Sequence, residues 1–127
     1  MTRDYPKKGS GEKKKRNPKR ELAMAVEALM REPFPERSAD DTLDQLHAEL
    51  VLFDSRVGDT VMDIINGERV PREDLRADDE MRERLEALAA SADANVASDA
   101  RTYLAYLEGL EHLITLARVA IGLSSDR

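Results

Sequence analysis

A chain of 127 residues, 41% hydrophobic and 36% charged, holds enough apolar side chain for one core and one domain. The absence of cysteine excludes disulfides, thiolate metal centres and a cysteine nucleophile, and nothing else suggests an oxidising compartment, so the cytoplasm is the expected location. No apolar run approaches the ~20 residues of a membrane span, and the basic amino end has no apolar stretch of the secretory kind, so a soluble, non-exported protein is expected.

The net charge of −6 conceals two opposite parts. Residues 1–20 carry nine basic side chains against Asp4 and Glu12, a balance of +7, which leaves −13 on residues 21–127. Every lysine lies in that leader, and the body draws its positive charge from arginine alone. The arginine, alanine and aspartate bias of the body suggests a GC-rich bacterial genome.

Residues 1–17 show no hydrophobic periodicity, and Pro6, Gly9, Ser10 and Gly11 punctuate a run of charge. Such a segment buries too little to offset its ordering entropy and reads as a disordered basic tail, ahead of a single helical domain over residues 18–127. Asn17 followed by Pro18 is a helix start, because asparagine caps free backbone N–H groups and proline suits the first helical position. The first helix is expected over residues 18–32, burying Leu22, Val26, Leu29 and Met30, until Pro33 and Pro35 prevent continuation.

A long central helix follows a connector over residues 33–37. Ser38 with Asp41 has the shape of a capping box, and Asp40 and Asp41 favour the positive amino end. Within residues 43–65, Leu43, Leu46, Leu50, Phe53, Val57 and Ile64 fall on one helical stripe, with Thr60 in its polar slot. A second stripe, Val51, Ser55, Gly58, Met62 and Ile65, lies ~100° around the helix, so neighbours are expected on two sides. Asn66 and Gly67 close the helix, and Pro71 enforces the break.

A third helical segment covers residues 72–91, with a break near Asp78 and Asp79 and a narrow apolar side of Leu75, Met81, Leu85 and Leu88. Asp78 with Arg82, Glu80 with Arg84 and Arg82 with Glu86 stand at i,i+4 and read as solvated pairs. The last helix, residues 95–123, again carries two stripes: Tyr103, Leu107, Leu110, Ile114, Ala117 and Ile121, and beside them Tyr106, Gly109, Leu113, Leu116, Ala120 and Leu123. It is the natural partner of the central helix, and Gly58 and Gly109 mark candidate close crossings. The fold class is therefore all-α, an antiparallel bundle of four helices with the second and fourth long. Their apolar surface looks too wide for the two shorter helices to cover, which predicts a homodimer through helices 2 and 4.

Chemistry-bearing residues are few. Glycine-rich phosphate loops, nucleophile elbows and paired His-Glu zinc motifs are all missing, and Tyr103 and Tyr106 sit on apolar stripes. No cofactor is implied, and an enzyme is not the preferred reading. The two histidines have carboxylates at helical spacing, Asp44 with His47 and Glu108 with His112, which makes a metal-binding helical enzyme the alternative. That set is incomplete against the Glu-x-x-His pattern of carboxylate-bridged bundles, since Asp44 is the shorter acid and Glu108 precedes His112 by four.

The strongest functional signal is the basic cluster Lys13, Lys14, Lys15, Arg16, Lys19 and Arg20, six positive charges in eight residues. Charge at that density tracks a phosphate backbone. No aromatic residue interleaves it, so base stacking and sequence readout have no source. The reading is a non-catalytic interaction or regulatory module whose cationic arm meets nucleic acid or another acidic partner.

Overall fold

The computed structural model describes residues 17–122. The expected disordered tail, with Lys13, Lys14, Lys15 and Arg16, and the expected stripe residue Leu123 lie outside them. Among the described residues there are four α-helices and no strand: α1 (Pro18–Met30), α2 (Asp41–Ile65), α3 (Asp79–Ala89) and α4 (Ala94–Ala120). A 3₁₀ turn, Arg72–Leu75, precedes α3. None of these helices is long and apolar enough to cross a membrane.

Each helix begins where a short polar side chain can satisfy its first free N–H groups. Asn17 accepts from the Arg20 amide at 3.2 Å, with Pro18 at the first helical position. Asp78 accepts from Met81 N–H at 3.0 Å, and Asp93 from Asn95 and Val96 N–H at 2.9 and 3.3 Å. The break expected near Asp78 is thus a true helix start. For α2, Ser38 does not cap. Asp40 does, accepting from Leu43 N–H at 3.1 Å, because the cap side chain must sit three residues before that amide. At the far end of α2, Gly67 takes φ +85°, and Glu68 N–H reaches back to the Asp63 carbonyl at 2.8 Å. That left-handed position strains any residue with a Cβ.

Successive helices run antiparallel, so α2 and α4 point the same way. Ser38, ahead of α2, bonds Asp99 near the start of α4, and Asp54 further along α2 bonds Tyr106 further along α4. Against α3 the order reverses: Arg82 near its start meets Glu111, and Ala89 at its end meets Arg101. Helix α4 packs on all three others.

The first stripe of α2 is buried throughout, including Thr60. Leu43, Leu46, Leu50 and Val57 are fully enclosed, each contributing on the order of 1.5–3 kcal/mol relative to an exposed side chain. In α4, Tyr103, Leu107, Leu110, Ile114 and Ala117 are buried, and Leu113 of its second stripe joins them. From α1 comes Leu22, and from the segment around α3 come Leu75, Met81 and Leu85.

Three expectations fail here. The second stripe of α2 is not covered: Val51 is 42% and Met62 45% exposed. Met30, expected in the core, is 77% exposed, because α1 ends there and its last turn sits at the edge of the α1–α2 contact. Gly58 marks no crossing, since a Cβ built on it meets nothing within 4 Å. Gly109 does mark one, but against α1: a Cβ there would stand 3.0 Å from Leu29 Cδ1.

Candidate interaction surfaces

The connector between α1 and α2 is laid over the bundle by an aromatic cluster. Phe34 stands edge-on to His47 at 5.3 Å and to Tyr106 at 4.9 Å between ring centroids, which fixes the chain as it leaves α1. From there the backbone carbonyls are caught one after another. His47 Nε2 lies 2.8 Å from the Pro35 carbonyl, an acceptor that places the ring proton on that nitrogen, and the Tyr103 hydroxyl donates to the Glu36 carbonyl at 2.7 Å. Arg37 then forms a two-pronged bond to Asp44, at 2.8 and 2.7 Å, and Ser38 Oγ donates to Asp99 at 2.8 Å.

This arrangement sets the protonation of its members. Burial pushes the Tyr103 phenol up to about 12, with the negative charges of Asp99 and Asp44 adding to it. Burial, followed by the bond to Asp54, raises Tyr106 as well. The Arg37 guanidinium, bonded to Asp44, holds that carboxyl below the ordinary carboxylate range. Both phenols therefore stay protonated across the neutral range and act as fixed donors.

The metal-ligand candidates fall in different parts of the bundle. Asp44 and His47 belong to the connector cluster, the first engaged by Arg37 and the second by Pro35. Glu108 stands 3.7 Å from Arg82 on the α3 side, and His112 is exposed on α4. Among the described residues no three His, Asp or Glu side chains are grouped where a metal ion could be held.

Arg82 is the centre of the charged contacts around α3. Its guanidinium bonds both carboxylate oxygens of Glu111 and also reaches Glu86 at 3.0 Å. The i,i+4 spacing identified only the second of these, because Glu111 lies on another helix. Asp78 is spent on capping, and Arg84 turns to Glu49 on α2 at 3.4 Å.

Two further features of the described surface stand out. On the first turn of α1, Lys19 and Arg20 are exposed and continue the basic cluster onto a rigid element. The other surface is a groove of about 420 Å³ between α1 and α2, floored by Leu110 and Leu113 of α4 and edged by Met30 and Met62. Glu32, Asp54 and Asp59 line it, and no basic side chain among the described residues does. The second stripe of α2 pointed toward this groove, but the sequence gives no sign that α1 stops short of closing it. Compared with protein-family models, curated proteins and solved structures, the chain matches none.

Proposed function

We propose that the protein is a non-catalytic helical interaction module whose amino-terminal arm associates with nucleic acid through its phosphates, without sequence selectivity. The observation that carries this reading is the division of charge: +7 on residues 1–20 against −13 on the remainder. Lys19 and Arg20, exposed at the amino end of α1, extend the cluster begun by Lys13, Lys14, Lys15 and Arg16. A polyanion is attracted to that end and repelled by the acidic bundle, so contact is confined to the arm and the bundle is left free for a second partner.

The cluster has phosphate-binding side chains and no stacking residue, which gives affinity without base readout. Replacing Lys13, Lys14, Lys15 and Arg16 by glutamine in the full chain is expected to weaken binding to a short DNA duplex at low salt by about tenfold or more. Helical circular dichroism should not change, and duplexes of unrelated sequence should bind alike. Retention of binding by this variant contradicts the proposal, and a strong preference for one duplex sequence contradicts its non-selective form.

A further inference from the structure

The groove between α1 and α2 is an apolar recess bordered by acids on a protein whose own leader is basic. We infer that residues 3–8 of the chain dock in this groove, with Tyr5 and Pro6 over its apolar floor and Arg3, Lys7 and Lys8 against Glu32, Asp54 and Asp59. This proposal goes beyond polyanion binding, which uses the separate cluster from Lys13 to Arg20.

Three observations select this occupant. The first is space: Gly58 leaves the middle of the groove open, with nothing within 4 Å of where a Cβ would stand, and Met30 and Met62 at its edges are 77% and 45% exposed. The second is chemical complementarity. The groove presents apolar surface flanked by carboxylates, and residues 3–8 present one aromatic ring and a proline among three basic side chains, Arg3, Lys7 and Lys8, and one acid, Asp4, a net charge of +2. Residues 1–16 as a whole carry seven basic side chains against two acidic ones, whereas the described residues lining the groove include no base. The third is reach. The arm joins the bundle at Asn17, and the groove is bounded by Val26, Leu29 and Met30 of the same helix, about 15 Å further along at 1.5 Å per residue. The thirteen residues from Tyr5 to Asn17 span up to roughly 40 Å when extended, so the arm can turn back along α1 with slack to spare.

A second copy of the bundle is the less suitable occupant, because it would bring another −13 body against the same carboxylates. The leader brings the opposite charge and is already tethered, so its local concentration is high without a second molecule. Docked, the distal half of the arm would hold the proximal basic cluster alongside α1.

The chain contains no cysteine, so Thr2→Cys gives a single attachment point for a spin label next to the docking segment. Methyl resonances of Met30, Met62 and Met81 are then read in the full-length protein. The expected result is broadening of Met30 and Met62 but not of Met81, which is buried on the α3 side. That broadening should be lost with Tyr5→Ala, with Gly58→Leu, which fills the groove, and at molar salt. Absence of broadening, or equal broadening of Met81, overturns the proposal. Broadening that appears when isotope-labelled unmodified protein is mixed with spin-labelled protein also overturns it, because the arm would then belong to another copy. Neither Tyr5→Ala nor Gly58→Leu touches Lys13 to Arg20, so duplex binding by these variants reports on the polyanion reading separately.

Discussion

The two flanks of α4 are built on different principles. On one side, α3 offers only a short apolar edge, Met81 and Leu85, both buried, and Arg82 completes the contact by gripping Glu111. On the other side, α1 brings a single fully buried residue, Leu22, and the connector after it is held by His47, Tyr103 and Phe34. The apolar edge of the α3 flank is closed and the recess beside it is lined mainly by polar groups, Arg82, Glu111 and Arg118 among them, whereas the α1 flank is anchored at its connector and leaves an apolar groove beside it. The difference shows that helix length does not decide closure. With 11 residues α3 covers its apolar edge, and with 13 residues α1 does not, because its last turn carries Met30 outward.

The largest effect that can sharpen this contrast is a truncation on the closed flank. Leu85→Ala removes an enclosed side chain and is expected to cost about 2–5 kcal/mol in chemical denaturation, whereas Met30→Ala on the open flank should stay within about 0.5 kcal/mol. Comparable losses at the two sites would mean that Met30 is covered in solution.

The two mid-helix glycines give the next contrast, and opposite signs are expected. Gly109→Leu should destabilise by about 1–3 kcal/mol, since its new side chain must enter the space held by Leu29. Gly58→Leu should raise the melting temperature, because leucine is the better helix former by up to about 1 kcal/mol and meets open space. The comparison is made in a chain lacking residues 1–16, because the docked arm would otherwise compete for this space, and a lower melting point there would place another packed element in the groove.

Much of the fold was legible in the residues, and the limits have identifiable physical causes. Asn17-Pro18, Asp78 and Gly67 act through neighbours within a few positions, so caps and breaks can be read locally. The core stripe of α2 follows from periodicity alone. A glycine on a helix face is different, because the same residue serves a tight crossing at position 109 and an open groove at position 58. Only the position of a neighbour separates the two. The Tyr103 bond to the Glu36 carbonyl spans 67 positions and depends on the path of an irregular connector, which no pattern encodes. The Ser38 cap failed for a related reason, since the helix begins two residues later than its motif implies: Asp40 takes the Leu43 amide, and Ser38 accepts only from the Asp40 amide ahead of the helix.

A smaller effect tests the anchored connector. Tyr103→Phe removes one buried donor and is expected to cost about 1 kcal/mol at neutral pH. Its pH signature is more specific. The folded phenol is raised to about 12 from an ordinary 10.0, so the unfolded chain loses this proton first. The stabilisation is complete below pH 10 and declines as pH rises toward 12. Wild-type stability should fall more steeply across that interval than Tyr103→Phe stability does, as read from urea midpoints. Equal slopes would mean that the phenol is solvated.

Under the proposed function the arm is the element that meets phosphate. Its most direct test is the affinity of the full-length protein for duplex DNA measured across a series of salt concentrations. Neutralisation of about four phosphates predicts a log–log slope near −3.6, and replacing Lys13, Lys14, Lys15 and Arg16 by glutamine should bring that slope toward zero. A flat salt dependence in the unmodified protein, or an unchanged slope in the variant, would contradict the assignment of binding to this arm.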